Sequence, residues 1–501
     1  MARRTRKYRW MSIHVFLCVW IGVISSSCSL ASRNARITVS GKQWGVSTCY
    51  IGAVEGNTRF NVADMRDLGI NTYRIYGGMS RWEWQNDSGV YGLPSIAAIK
   101  ANPNVINWSW WDRAMTNPPG GSDYWWDVSP SSAVWQGNAR TIFSQLQQAH
   151  IRPILTLRNA DPLYRPQWAM QLNPPRTAAD WNEWWEHVFA TAFWLNVRNN
   201  YHVDDYEIHN EPDVAAQGWG GTLTNYYTFA WYTHDAIDYV YRTFLPGRTY
   251  HVYAPDGPGA NWTYGMLENA ATTFDSVDFH DYAHDISNGV EQRHALMNLT
   301  GHTNYPLWLS EWGTYKGGYN QVSFGVNLID NLIRGSRPGN DYVYGSNLFP
   351  LYDWYTSSQG YLQGLVARDG TRTGSYYAFR LGIRALQGCR PTYRSTTSNP
   401  HLMAITTKDR SGNIYLLVTN QDSINSYDVD ANLSALLTNA DKTAMWQYDA
   451  NQMDETMSGV ELSNGHVDFT IPANAAVLFK FSAGCCWVTA STLSRWYRLP
   501  Q

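Results

Sequence analysis

The chain has 501 residues, 44% of them hydrophobic and 16% charged, with a net charge of −3. This is globular composition, with room for one large domain and a smaller one. The weakly negative balance argues against a nucleic-acid partner, whose phosphates call for a surplus of Lys and Arg.

Residues 1–31 open with Arg3, Arg4, Arg6, Lys7 and Arg9, continue through an apolar stretch from Met11 to Ile24, and end in small residues. That order reads as a signal peptide, with Ser29-Leu30-Ala31 as a cleavage site and Cys28 as a weaker lipoprotein alternative. Removing it takes away five cations and no anions, so the charge moves to −8. No later segment has the roughly 20 apolar residues needed to span a membrane. The expected product is secreted and makes no stable membrane insertion. Export permits a disulfide among Cys49, Cys389, Cys485 and Cys486; a link from Cys389 to Cys485 or Cys486 would close the C-terminal segment on itself, although spacing alone does not fix the pairing.

From about Trp44 to Gly388, short β-rich runs alternate with longer helical patterns, the signature of βα units and a parallel sheet. The candidate strands are WGVSTCYIG, NTYRIYGG, RPILTLRNA, DDYEIHNEP, RTYHVYAPD, VDFHDYAHD, YPLWLSEWG and YVYGSNLFPLYDW. Eight strands make a (β/α)8 barrel, here residues 36–388. Between them, Ala139, Ile142, Leu146 and Ala149 fall at helical spacing, and Thr177 with Asp180 forms a capping-box pattern. The stretch Met79 to Pro130, rich in Gly, Pro, Asn and Trp, reads as an elaborated loop over the mouth.

After Gly388 the apolar period changes to two, in HLMAITT, NIYLLVTN, VDFTIP and AAVLFKF. Residues 389–484 are expected to form a small β-sandwich, completed by a strand near Arg36 to Ser40, with 485–501 as a tail.

The 25 Trp and 33 Tyr are unusual. Flat rings suit the C–H faces of sugars, yet the helix from Trp181 to Phe189 reads as core. For the clusters Asn107 to Asp112 and Asp123 to Asp127, sugar platform and packing both stay open.

Two motifs carry chemistry. In EIHNEPD, Asn210 and Glu211 end the fourth strand, because Pro212 cannot donate to the ladder and restricts the residue before it. In WLSEWG, the apolar positions Leu307 and Leu309 run into Glu311. A carboxylate closing an apolar strand is costly unless solvated, paired or used. The two Glu lie three βα units apart and can meet across the barrel mouth. Asp204, Asp205, Asp213, Asp281 and Asp285 have no metal-ligand spacing and read as loop and capping residues.

An Asn-Glu-Pro after strand four and a Glu after strand seven resemble the retaining glycoside hydrolases of clan A, families 5 and 39 in particular. The resemblance implies Glu211 as acid/base, Glu311 as nucleophile and Asn210 as ligand of the sugar 2-hydroxyl. It extends more loosely to Arg74, His280, Tyr282 and Trp354: Arg74 and Tyr282 would hold and orient Glu311, His280 would bond substrate or Glu211, and Trp354 would floor the first subsite. The expected reaction is hydrolysis of O-glycosidic bonds in a neutral poly- or oligosaccharide by double displacement, with no metal or organic cofactor. The alternatives are a transglycosylase with the same site and a catalytically silent carbohydrate-binding protein.

Overall fold

The computed structural model describes residues 33–56, 60–83, 86–116, 138–158, 174–214, 219–314, 318–353, 364–367, 369–440, 442–457 and 460–482. Strand β1 (Arg33–Val46) precedes eight parallel strands: β2 (Tyr50–Val54), β3 (Thr72–Tyr76), β4 (Arg152–Leu157), β5 (Asp205–Ile208), β6 (His251–Pro255), β7 (Ser276–Asp281), β8 (Leu307–Gly313) and β9 (Gly345–Phe349). They pair in sequence order and close β9 onto β2, giving the expected (β/α)8 barrel. The barrel therefore starts at β2, after β1.

Alternation along each strand divides the barrel into an outer and an inner face. Outward residues such as Tyr206, Ile208, Leu309 and Trp312 join one continuous apolar layer with the helices. Inside, Ile154, Tyr253 and Trp308 fill the floor, with Tyr50 and Tyr344 against them. Above that floor the interior turns polar, with Arg74, Glu207 and Asp278 all fully buried.

The helices follow the sequence pattern. Ala139–Gln148 buries Ala139, Ile142, Phe143 and Leu146, and Thr177 and Asp180 close a capping box on Ala178–Phe193. Trp184 and Trp185 of that helix are core residues. The stretch expected to be a loop after β3 instead contains the helices Met79–Trp82, Ile96–Ala101 and Trp108–Thr116. Each is too short to be stable alone; burial of Trp82, Ile99 and Trp111 in the outer apolar layer holds them. Among the described residues no helix is long and apolar enough to cross a membrane.

The remaining strands are β10 (Pro391–Thr397), β11 (Leu402–Lys408), β12 (Ile414–Asn420), β13 (Tyr427–Asn432), β14 (Lys442–Tyr448), β15 (Met453–Met457), β16 (His466–Ile471) and β17 (Ala475–Ser482). With β1 they form one nine-stranded mixed sheet in the order β15-β14-β17-β12-β11-β10-β1-β13-β16. The sheet curls over on itself: β16 is an edge strand far from β17 in that order, yet the rings of Phe469 and Phe479 lie 4.7 Å apart. The fold encloses a second core around Ile37, Leu416, Val429 and Phe479. The other face of β12 and β17, with Tyr415, Leu417 and Leu478, joins the apolar layer of the barrel helices. Cys49 is bonded to Cys389, not Cys389 to the tail. The last barrel helix returns the chain beside β2, where Gly388 N–H donates to the Cys49 carbonyl. Cys485 and Cys486 lie outside the described residues.

Candidate active site

The C-terminal ends of β3, β5, β6, β7 and β8 bring one polar cluster together. Arg74 on β3 is fully buried and uses all three guanidinium nitrogens. Its Nε donates to Glu207 Oε2 at 2.5 Å. Nη1 donates to Tyr76 Oη at 3.1 Å and Glu311 Oε2 at 2.8 Å. Nη2 donates to Asn210 Oδ1 at 3.0 Å and to both oxygens of Asp256 at 3.0 and 2.9 Å. A planar, permanently charged fork suits this branching; a Lys ammonium could not reproduce it.

Glu311 is inward because β8 is irregular. Leu309 pairs with Phe279, but Glu311, two residues on, pairs with His280. The same extra residue appears against β9, where Leu309 pairs with Ser346 and Trp312 with Leu348. In a regular strand Ser310 inward would force Glu311 outward. The bulge lets both face the interior. Ser310 Oγ donates to Asp278 and, at 3.3 Å, to Asp256, while Glu311 accepts from Arg74, from Tyr76 Oη at 3.0 Å and from Tyr282 Oη. Burial pushes the Glu311 carboxyl up, but His280, Arg74 and the hydroxyls of Tyr282 and Tyr76 outweigh it and hold it below the ordinary Glu value.

Glu211 stands beyond the end of β5 with φ of 46°, a left-handed conformation for a residue with a side chain, and His209 (φ 65°) and Asp256 (φ 56°) share it. Such backbone costs of order 1–3 kcal/mol per residue and persists where surroundings enforce it. The Glu211 N–H donates to the Asp256 carbonyl at 2.7 Å, and His209 N–H to the Leu157 carbonyl at 2.8 Å. Tyr226 donates to the carbonyls of Ile208 and, at 3.1 Å, Pro255, tying the two strand ends together.

His280 links the two halves. Its Nδ1 lies 2.8 Å from Glu211 Oε1, its Nε2 2.7 Å from Asp256 Oδ1 and 3.8 Å from Glu311 Oε2. Burial disfavours its charge, but the Glu311 and Asp256 carboxylates and its hydrogen bonds to Asp256 and Glu211 win, holding the imidazolium well above the usual His range. Glu211, His280 and Glu311 each bring an atom within 4.8 Å of the others, as do Glu207, Asp256 and Asp278. Spacing of that kind would also suit a cation, but here Arg74 already supplies positive charge to both groups. Glu207 is pushed up to about 7 by burial, against the pull of Arg74.

No family model matches this sequence, and no curated protein does. Solved structures do. A family 30 endoxylanase from Clostridium papyrosolvens C71 superposes with a TM-score of 0.60 at 15% identity, over 89% of this chain and 100% of its own. A family 39 enzyme from Xanthomonas axonopodis pv. citri gives 0.60 at 13%, over 92% and 100%. A monomeric β-xylosidase from Caulobacter crescentus CB15 gives 0.59 at 12%, over 89% and 99%. The fold is that of the clan A glycoside hydrolases.

Within that fold the structure brings together Arg74, Asn210, Glu211, His280, Tyr282 and Glu311; Trp354 lies outside the described residues. Sequence reasoning missed Tyr76, Glu207, Asp256, Asp278 and Ser310. The alternation of DYEI was a usable signal, since outward Tyr206 and Ile208 leave Asp205 and Glu207 inward. Asp205 is accordingly no loop residue: it is buried on β5 and paired with Arg152. Asp204, Asp213, Asp281 and Asp285 bond neighbouring groups near strand and helix ends, with Asp281 and Asp285 accepting from the N–H of Ala283 and Ser287. Of the aromatic clusters, Trp108 and Trp111 are buried, Trp108 stacked on Phe193 and Trp111 donating to Asp87, so packing is their role. The cluster from Asp123 to Asp127 lies outside the described residues.

Proposed function

We propose that this chain is a retaining β-glycoside hydrolase in which Glu311 is the nucleophile and Glu211 the acid/base. The observation that carries the reading is the approach of the two carboxyl groups, oxygens within 4.8 Å of one another, at the mouth of a clan A barrel. Double displacement needs carboxyls about 5–5.5 Å apart, whereas an inverting enzyme leaves about 6.5–9.5 Å for a water. The unequal surroundings also support the roles: Glu311 accepts from Arg74, Tyr76 and Tyr282 and stays ionised, as a nucleophile must.

In the first step a Glu311 oxygen attacks the anomeric carbon, the bond to the leaving oxygen breaks, and that oxygen takes the proton of Glu211. In the second, Glu211 removes a proton from water as the water attacks the anomeric carbon, and the bond to Glu311 breaks. His280 occupies Oε1 of Glu211, leaving Oε2 to face the leaving group. Asn210 Oδ1 is held by Arg74, which turns its amide N–H groups toward a sugar 2-hydroxyl. The substrate class is a neutral poly- or oligosaccharide met outside the cell, after residues 1–31 are removed.

The test is a panel of neutral polysaccharides and aryl β-glycosides, with xylan and xylosides among the first because two of the similar structures are a xylanase and a xylosidase. Proton NMR of the first-formed sugar should show the β-anomer. An α-anomer would overturn the mechanism, and transfer to an added sugar acceptor in preference to water would make the protein a transglycosylase. Binding of glycans without turnover would leave only carbohydrate recognition.

A further inference from the structure

Asp256 sits at the end of β6, which neither motif of the sequence singles out, and it touches both halves of the site. Its two carboxylate oxygens accept from Arg74 Nη2 at 3.0 and 2.9 Å. Oδ1 also meets His280 Nε2 at 2.7 Å and Ser310 Oγ at 3.3 Å, and its carbonyl accepts the Glu211 N–H at 2.7 Å. Its side chain is fully buried, and its φ of 56° aims it into this position. Arg74 in turn holds Glu311 and Asn210, and His280 holds Glu211.

We propose that Asp256 is the positioning residue for both reacting carboxyl groups, fixing Glu311 through Arg74 and directing the proton of Glu211 through His280. The proposal rests on the assignment of Glu211 and Glu311 above. Its chemistry follows from donor counting. A carboxylate paired with Arg74 only accepts, so Nε2 of His280 carries hydrogen. Were the ring neutral, Nδ1 would be an acceptor and would capture the Glu211 proton on Oε1, away from the substrate. With both ring nitrogens protonated, Nδ1 donates to Oε1 and the acid proton of Glu211 is left on Oε2. Two anions facing His280 favour that state, Asp256 from β6 and Glu311 from β8, while Glu211 beyond β5 accepts from Nδ1 and burial pushes Asp213 beyond β5 and Asp278 on β7 toward their neutral forms. Arg74, bonded to Asp256 and Glu311, is the opposing cation.

The experiment is Asp256→Asn in the full chain, assayed on an aryl β-glycoside beside Glu211→Gln and Glu311→Gln. The Asn keeps the shape and loses the charge. We expect kcat to fall about 100-fold, the scale of a misplaced catalytic group, with KM within about threefold. Without the Asp256 anion the imidazolium loses its proton more easily, so the alkaline limb of kcat should move down by about one pH unit. A purely structural Asp would leave that limb in place. If both Glu variants are inactive while folded Asp256→Asn keeps kcat and the limb, the positioning role fails alone; if the Glu variants keep wild-type turnover, the catalytic assignment fails first. Should Asp256→Asn not fold, nitrogen NMR of the wild-type protein labelled at His decides: the ring of His280 should stay doubly protonated at pH values where an ordinary imidazole has become neutral. Titration near the ordinary value of about 6.5 would overturn the proposal.

Discussion

Arg74 is the residue on which the site depends, because one buried cation faces Glu207, Asp256 and Glu311. Removing it would strand buried carboxylates without a partner, which costs several kcal/mol, so the informative substitutions are milder. Tyr282→Phe takes one donor from Glu311 Oε1 and leaves Arg74 and Tyr76 in place. A hydrogen bond to a charged group is worth about 1.5–3 kcal/mol, so kcat/KM should fall about tenfold to a hundredfold. The sign of the pH effect is fixed: the folded-state value of Glu311 is depressed, losing a donor raises it, and the acid limb of kcat/KM should move to higher pH. An unmoved limb with unchanged kcat/KM would remove Tyr282 from this role. The motif residues Asn210, Glu211 and Glu311 were legible because a strand end announces itself by Pro212 or Gly313. Asp256 was not, because its partners come from four other segments and meet it only when the barrel closes. The bulge in β8 was equally hidden: WLSEWG read with strict alternation turns Ser310 and Glu311 to opposite faces.

At the scale of the element, the helix Ala178–Phe193 shows how pattern and burial can disagree. Its capping box and its core Trp residues were legible, but Glu183, Glu186 and His187 are also fully buried, on positions that sequence alone would leave in solvent. They meet Glu83 and Asp87 from the segment after β3. Glu83 binds His187 at 2.5 Å and Asn86 and Gly92 satisfy Glu183. Neither oxygen of Glu186 has a hydrogen-bond partner among the described residues. Burial, then the neighbouring Asp87 and Glu183, pushes the Glu186 carboxyl well above its usual range. A raised carboxylate favours folding below its unfolded value near 4.3 and loses that contribution as pH climbs toward the folded value. At pH 7 folding therefore carries a cost at Glu186 that is absent below the unfolded value. Glu186→Gln removes it, and should stabilise the protein at pH 7 by about 1–3 kcal/mol, read as a Tm higher by about 2 °C or more. The gain should shrink as pH falls toward 4. A lower Tm at every pH would show that the Glu186 carboxyl does not destabilise the helix.

At the scale of the molecule, the alternation of eight β-rich runs with helices made the barrel legible, and the change of period after Gly388 announced the second sheet. The place of β1 is set by partners 360 and 394 residues on, with Ile37 opposite Thr397 and Arg33 opposite Tyr427. Local pattern shows such a strand but not its neighbours. The effect is that the first and last described strands, β1 and β17, lie in the same sheet, whose outer face packs on the barrel helices and whose inner face has its own core. The barrel so supported presents two carboxyl groups across its mouth, and in the proposed mechanism they divide one reaction between them. The direct measurement uses Glu211→Gln with an aryl β-glycoside whose phenolate leaves without acid help. Phenol should appear in a burst of about one equivalent and then stall, since no base activates water, and mass spectrometry of the digested protein should find the sugar on Glu311. Sugar on another acid such as Asp281, or continued turnover at the wild-type rate, would rule out Glu311 as nucleophile with Glu211 as its acid/base.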